Sequence, residues 1–310
     1  MPQSNNPEFR AGVINAVAAY SMWGVAPLYF KLLSDVASSE IMVHRVVWST
    51  LFLALIILFR KKLALVIELI KKPKVIGGLA LTASFLAANW FLFIWAINND
   101  LLLDASLGYF INPLFSVALG MIFLGERLRT WQKFAVVLAI VGVSIQLVIL
   151  GSLPLVSLAL AGTFGIYGLL RKKMPVDSFV GLLLESAMML PVAIIYWAFF
   201  VDSTSANMLV NSSSLNLTLI AAGIVTTAPL LCFTAAAKRL PLSAVGFFQY
   251  IGPSIMFVLA TVLFNETLEP AKLVTFLFIW AALLVYSLDS IKAFKQKQKQ
   301  QKAEQKTSVT

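Results

Sequence analysis

Apolar residues occur along this chain in runs of about 20, separated by short segments that carry charged residues, Gly or Pro. A helix of about 20 residues, rising about 1.5 Å per residue, crosses roughly 30 Å of hydrocarbon. Core helices of soluble proteins are usually shorter and keep one polar face. The pattern therefore predicts an all-α polytopic membrane protein with ten transmembrane helices, at about 11–31, 40–59, 75–98, 104–125, 131–150, 152–170, 178–201, 216–237, 241–264 and 271–290.

Composition supports this fold class and narrows the possible chemistry. The chain is 60% hydrophobic and 12% charged, whereas soluble domains carry about a quarter charged residues. One cysteine, Cys232, and one histidine, His44, exclude an intrachain disulfide and provide too few ligands for a Cys/His zinc site. We therefore expect no bound metal and no cofactor. The first apolar run is long and has no small-residue cleavage site, which indicates a retained helix rather than a signal peptide.

The positive charges predict the orientation. If the N-terminus is cytoplasmic, 21 of the 24 Lys and Arg residues fall on the cytoplasmic side, Lys31 and Lys272 fall outside, and Arg45 lies within the second span. Lys and Arg favour the cytoplasmic side of membrane proteins, so both termini are predicted to be inside. The net charge of +10 then reflects topology and contact with anionic headgroups, and nucleic acid is not an expected partner.

An internal repeat divides the chain into two halves. At an offset of 140 residues, Pro113 matches Pro253 and Glu126 matches Glu266, along with Ile and Leu identities in the same segments. This offset spans five helices, and an odd number reverses the direction of the second copy. The sequence thus predicts a five-helix repeat over 11–150, an inverted five-helix repeat over 151–290, and a basic disordered cytoplasmic tail over 291–310.

Several sequence motifs match a known family. The pattern G-Y-F-I-N-P-L, followed after six residues by G-M-I-F-L-G-E-R, covers 108–127 and resembles the EamA motif of the drug/metabolite transporter superfamily. Further runs resemble the RarD branch of that family, at 19–24, 44–48, 89–96 and 247–253. The resemblance implies ten helices, two EamA repeats, the bacterial inner membrane, and secondary transport of a small solute or a drug such as chloramphenicol. Because the superfamily handles amino acids, sugars, nucleotide sugars and drugs, the substrate stays open.

Two charged residues lie inside predicted spans and are candidates for the solute site. A charge at membrane depth costs roughly 2.5–3.5 kcal/mol on insertion scales and usually faces a cavity or the protein interior. Arg45 and Glu185 are equivalent at the repeat offset, so they could line a central cavity and pair across it. Arg45 could bind a carboxylate or phosphate, and Glu185 or His44 could carry H⁺ as a coupling ion. A purely structural Arg45–Glu185 pair is the alternative, and so is a structural role for His44.

Proline, amide and aromatic residues complete the candidate site. Proline bends a helix and frees a backbone carbonyl, so kinks are expected at Pro113 and Pro253, where Asn112 and Gln249 could bond a solute. The alternative is a kink used only in packing. Five aromatic residues are candidates for an aromatic lining, although core or headgroup positions are also open to them: Trp23, Trp48, Trp95, Tyr109 and Tyr250.

These features favour a transporter over two other classes of protein. No G-x-x-x-x-G-K-[ST] loop is present, so ATP-driven transport by this chain alone is not expected. An intramembrane enzyme acting on a lipid-linked substrate would need a catalytic group at depth, and neither G-x-S-x-G nor H-E-x-x-H occurs. A receptor or sensor would usually have a longer cytoplasmic segment. The expected partners are a small-molecule solute and the lipid bilayer, with the oligomeric state left open.

Overall fold

The computed structural model describes residues 7–98, 102–150, 155–201, 207–263 and 270–307. Every regular element in these ranges is helical, which follows from long apolar runs whose backbone groups must bond within their own segment. A single 3₁₀ turn, Lys31–Leu33, joins the first two helices. The α-helices are α1 (Pro7–Phe30), α2 (Ser38–Phe59), α3 (Leu63–Ile70), α4 (Pro73–Asn98), α5 (Leu102–Leu124), α6 (Thr130–Leu150), α7 (Leu155–Lys173), α8 (Ser178–Phe200), α9 (Ser213–Arg239), α10 (Leu242–Phe248), α11 (Ile251–Val262) and α12 (Pro270–Thr307).

The helices are long and apolar enough for a membrane protein. In the described part of the chain, eight segments could cross a bilayer by length and composition, and two shorter apolar stretches lie at Gly108–Leu124 and Thr130–Ile145. The predicted all-α polytopic membrane architecture is therefore confirmed.

Two elements differ from the sequence-based prediction. The tail predicted to be disordered is helical, because α12 continues to Thr307; Lys, Gln, Ala and Glu are good helix formers and extend a helix that is already nucleated. The predicted span over 241–264 is not one kinked helix. It breaks at Gln249 and Tyr250, and Pro253 lies in the first turn of α11, where its missing N–H costs nothing. Pro113, by contrast, lies inside the continuous helix α5.

The two halves of the chain are interleaved rather than set side by side. Contacts between halves join α2 to α8, α5 to α10, and α6 to α12, and each of these pairs is equivalent at the 140-residue offset. Four further contacts form two matched sets. In the first, α1 packs on α9 and α4 packs on α7; in the second, α1 packs on α11 and α5 packs on α7. This is the pattern of contacts expected of two halves related by a two-fold axis.

Close helix crossings depend on glycine at particular positions. A Cβ on Gly223 of α9 would lie 2.6 Å from the carbonyl carbon of Trp48 in α2, so the two backbones touch at this crossing. Gly125 follows α5 with φ of 63°, a conformation that glycine adopts without steric cost. This turn directs the next residue, Glu126, back toward the bundle.

Ion pairs and a hydrogen bond connect the ends of neighbouring helices at one end of the bundle. Lys62, after α2, lies 2.7 Å from Asp177, before α8. Arg239, at the end of α9, lies 2.7 Å from Glu8 in the first turn of α1. Lys172, near the end of α7, donates to the carbonyl oxygen of Leu240. We call this the basal end, defined by the starts of α1, α8 and α10 and the ends of α2, α5, α7 and α9.

Candidate functional site

A cavity of about 280 Å³ lies between the two halves. Its lining comes from α1, α2, α4 and α5 of the first half and from α7, α9 and α11 of the second. Phe30, the last residue of α1, and Arg45, near the start of α2, both line it. The cavity therefore lies toward the end of the bundle opposite the basal end. Its volume is at the lower limit of the roughly 300–1,000 Å³ typical of ligand pockets, which suits a small solute.

Arg45 contributes the charge in this cavity. Its guanidinium carbon lies 3.4 Å from the centroid of the Trp90 ring, a cation–π stack that holds the planar group in one orientation. Among the described lining residues, Arg45 alone carries a charge. No described residue forms a salt bridge with it.

Two amide side chains reach the cavity with an oxygen free to accept a hydrogen bond. Gln249 donates from Nε2 to Ser116 Oγ at 3.2 Å, while its Oε1 is buried and accepts no hydrogen bond from any described residue. Asn112 Oδ1 is also buried and accepts no hydrogen bond from any described residue. Buried polar atoms are seldom left unpaired in proteins, and the hydroxyl of Tyr20, which lines the same cavity, lies close to Gln249.

Aromatic rings form most of the remaining wall. Trp23 packs on Phe164 with ring centroids 5.8 Å apart, and Phe93 packs on Tyr109 at 6.1 Å. The first pair joins α1 to α7, and the second joins α4 to α5. The cavity therefore offers flat apolar surfaces around one cation and a few hydrogen-bond acceptors.

The predicted candidates divide into two groups in the structure. Those that line the cavity are Trp23, Arg45, Tyr109, Asn112, Gln249 and Pro253. The other candidates lie elsewhere in the bundle: His44, Trp48, Trp95, Pro113, Glu185 and Tyr250.

The candidates outside the cavity have identifiable surroundings. His44 is buried, accepts a hydrogen bond at Nδ1 from Trp48 Nε1 at 3.3 Å, and packs against the ring of Trp197. Tyr250 is buried and donates from its hydroxyl to the carbonyl oxygen of Phe110 at 3.3 Å. Trp95 is 41% exposed on the outer surface of α4.

Glu185 does not pair with Arg45, which corrects the hypothesis of a pair across the cavity. Its carboxylate lies 3.6 Å from Arg171, and neither side chain is exposed at all. Thr82 donates to Glu185 Oε1 at 2.5 Å, and Tyr167 donates to Oε2 at 3.4 Å. These four residues form a buried polar cluster that joins α4, α7 and α8 on the basal side of the cavity.

Glu126 of the EamA-like motif caps a helix of the other half. Its carboxylate accepts hydrogen bonds from Leu242 N at 2.6 Å, Ser243 N at 2.9 Å and Ser243 Oγ at 2.7 Å. An anion at a helix N-terminus satisfies unpaired N–H groups and the helix dipole. The helix that Glu126 caps is α10, which belongs to the second half of the chain. Glu266, the equivalent residue, lies outside the described residues.

The sequence did not single out some residues of the cavity and the cluster. Asn89 lines the cavity and donates from Nδ2 to Leu160 O and to Thr163 Oγ1, both at 2.9 Å. In the sequence, Arg171 is one of three consecutive basic residues at the end of a span, a pattern typical of exposed cytoplasmic charges. In the structure its side chain is fully buried. Asn89 begins the run 89–96 that resembles the RarD branch, but that resemblance did not indicate that its amide side chain lines a cavity.

Comparisons with known proteins agree with this architecture. The family model described as "EamA-like transporter family" matches residues 10–148. A Vibrio cholerae protein named "Uncharacterized transporter" is 52% identical over 92% of this chain and 94% of its own length. "Protein RarD" of Escherichia coli is 53% identical over 91% of this chain and 95% of its own.

A more distant relative and a solved structure extend the comparison. "Chloramphenicol-sensitive protein RarD" of Pseudomonas aeruginosa is 31% identical over 90% of this chain and 94% of its own. A crystal structure of a protein with 18% identity superposes with a TM-score of 0.70 over 89% of this chain and 97% of that chain. At that identity the superposition supports the fold alone.

Proposed function

Because the chain belongs to the EamA-like transporter family, in its RarD branch within the drug/metabolite transporter superfamily, we propose that it is a secondary transporter of a small solute in the bacterial inner membrane. The observation that carries this proposal is the cavity, which takes its lining from both halves of the chain. A site built at the interface of two repeats is the usual arrangement in secondary transporters.

The mechanism that we propose is alternating access between two inverted repeats. The cavity lies toward one end of the bundle, while the Arg171–Glu185 cluster and the Glu126 cap hold helices together on the basal side. In this arrangement the bundle is closed at the basal end. Because the two halves have equivalent structures, each can adopt the arrangement of the other, which closes the opposite end and opens the basal end. The solute site would then face each side of the membrane in turn. No ATP is consumed in this scheme.

The same proposal includes ten membrane crossings with both termini in the cytoplasm. The basal end carries the positively charged segments after α2, α7 and α9, as expected for a cytoplasmic face. H⁺ is the coupling ion that we propose, since the interior holds the titratable groups Glu185 and His44. Chloramphenicol is a candidate solute because a relative's name refers to it.

Solute counterflow in proteoliposomes tests this function. Vesicles containing the purified protein, preloaded with an unlabelled solute, should accumulate the same labelled solute above protein-free vesicles. The panel contains amino acids, sugars, small carboxylates and chloramphenicol, with and without a pH gradient. Counterflow distinguishes a carrier from a channel or a receptor, because only a carrier exchanges one solute molecule for another.

A matched pair of variants connects the flux to the cavity. Trp23→Ala removes a ring from the cavity wall, whereas Trp131→Ala removes a tryptophan that is 59% exposed on the outside of the bundle. Transport should be reduced by the first change and kept by the second. Absence of counterflow for the whole panel, with folded protein in the vesicles, would contradict the proposed function and favour a receptor or an enzyme.

A further inference from the structure

The charge in the cavity specifies the chemical class of the solute, an inference that rests on the proposed function and deepens it. Arg45 is partly buried, its guanidinium lies against Trp90, and it is the charged residue among the described residues of the lining. No described carboxylate neutralises it, because Glu185 is engaged by Arg171. A cation in a low-dielectric site without a counter-ion is costly, and an anionic ligand removes that cost.

We propose that the cavity binds a small organic monocarboxylate, with the carboxylate against Arg45 and an apolar body against the aromatic wall. The planar guanidinium presents N–H groups in a fixed fork that matches a carboxylate. Stacking on Trp90 at 3.4 Å covers one face of the guanidinium, so its N–H edges are the part left to bind a ligand.

The balance of charge favours a carboxylate over a phosphate. A phosphate ester carries a charge of about −1.5 to −2 at neutral pH, which would leave negative charge uncompensated beside a single arginine. One carboxylate matches one guanidinium. The described lining provides neither a lysine nor a second arginine.

Two other polar atoms of the lining residues indicate which further groups the solute carries. Asn112 Oδ1 and Gln249 Oε1 are buried acceptors without a donor among the described residues. A solute hydroxyl or amide N–H would satisfy them, because unmade hydrogen bonds of buried groups are unfavourable. The aromatic rings of Trp23 and Phe164 contribute apolar surface to the lining.

Binding of isosteric pairs to the full chain in nanodiscs tests this inference. The probes are 4-hydroxyphenylacetate and its neutral amide, 4-hydroxyphenylacetamide, which share size, ring and hydroxyl and differ in charge. Calorimetry measures each affinity, and quenching of tryptophan fluorescence reports contact with Trp23 and Trp90. The carboxylate should bind at least tenfold more tightly than the amide, a difference typical of one charge-assisted hydrogen-bonded pair.

Two variants of Arg45 test the preference for the carboxylate, and one variant of Arg60 is the matched control. Arg45→Gln should remove the preference for the carboxylate, while Arg45→Lys should keep a reduced preference. Arg60→Gln alters a guanidinium that also lies over an aromatic ring, 4.2 Å from the centroid of Phe179, but outside the cavity. It should leave both affinities unchanged. Unfolding temperatures measured on the same samples identify any variant that fails to fold.

Each outcome distinguishes this inference from the proposed function. Equal affinities for acid and amide in the unmodified protein, or no binding of either at millimolar concentration, would overturn the carboxylate assignment without any variant. Retention of the preference in folded Arg45→Gln protein would also overturn it. Counterflow of neutral chloramphenicol without a preference for carboxylates would support the proposed transport function and contradict only the carboxylate as the solute class. Tight carboxylate binding without counterflow would support the site and contradict transport.

Discussion

Nη1 of Arg171 lies 3.6 Å from Oε1 of Glu185, and both side chains are fully shielded from solvent. The three guanidinium nitrogens of Arg171 have no hydrogen-bond partner among the described residues, so Glu185 is the group that compensates this charge. Gly181 leaves room for the guanidinium, in a space that a Cβ would occupy. The pair joins α7 to α8 inside the bundle.

Loss of one partner of this pair should destabilise the protein strongly. Glu185→Gln would leave Arg171 buried without a counter-charge, and breaking a buried pair typically costs about 3–5 kcal/mol. We expect a large fall in the midpoint of thermal unfolding, measured by circular dichroism in detergent. The double variant Arg171→Met with Glu185→Leu should recover much of the loss, since well-packed apolar residues often replace a buried ion pair without cost.

An exposed pair provides the control for that experiment. Glu8 lies 2.7 Å from Arg239, but its side chain is 62% exposed, so water screens the charges. Glu8→Gln should leave the unfolding midpoint nearly unchanged. If Glu185→Gln unfolds at the same temperature as the unmodified protein, Glu185 does not hold the bundle together.

Replacement of Gly223, at the α2–α9 crossing, should destabilise the protein far more than replacement of a glycine on an open surface. A Cβ at Gly223 would lie 2.6 Å from the Trp48 carbonyl carbon, whereas a Cβ at Gly77 in α4 meets no atom within 4 Å. Overpacking typically costs about 1–3 kcal/mol, and alanine stabilises an open helix position by roughly 0.5–1 kcal/mol. Gly223→Ala should therefore lower the unfolding midpoint and Gly77→Ala should not. Equal effects of the two substitutions would contradict the observed crossing.

Stability should depend on pH through Asp177, at the start of α8. Burial raises the pKa of this carboxyl, but hydrogen bonds from Lys62 and from the N–H groups of Phe179 and Val180 outweigh burial and hold the pKa below its ordinary value. A lowered folded-state pKa stabilises the fold above the unfolded-state pKa, which is about 3.9. That stabilisation is lost as the pH falls through the folded-state value.

Lys62→Met should weaken this dependence on pH. The two side chains are about 30% exposed, so the pair should contribute no more than about 1 kcal/mol near neutral pH. Unfolding midpoints between pH 7 and pH 3 measure the difference, which should shrink as Asp177 becomes protonated. A constant difference between the two proteins across this range would show that Lys62 acts through packing alone.

The orientation proposed from the charges can be tested with single cysteines. Cys232→Ser removes the only cysteine, and the background then accepts Lys61→Cys after α2 and Leu209→Cys before α9, both at exposed positions. A maleimide that cannot cross the membrane should label Leu209→Cys in intact cells. It should label Lys61→Cys only after lysis. The reverse pattern would place the N-terminus outside.

The sequence was sufficient to predict the helices because their length is a local property. About 20 apolar residues in a row must form a helix to satisfy their backbone groups in hydrocarbon. Each predicted run accordingly contains helical residues in the described part of the chain, although the run over 241–264 is divided between α10 and α11. The sequence also predicted that Arg45 and Glu185 lie within apolar helices. Local rules did not predict the helical tail correctly, because its polar composition suits both a solvated coil and a continued helix.

Only the tertiary packing determined which of the buried charged residues form an ion pair. Arg45 and Glu185 are equivalent along the chain, yet Arg45 lies against Trp90 in the cavity while Glu185 contacts Arg171 away from it. The rotation of each helix about its own axis selects these partners, and that rotation depends on side chains of the neighbouring helices. Sequence therefore determined which segments are helical and which residues carry charge at depth. Only the packed structure determined which of those residues face the cavity, because apolar surface covers these helices on nearly every side and leaves no polar face to indicate direction.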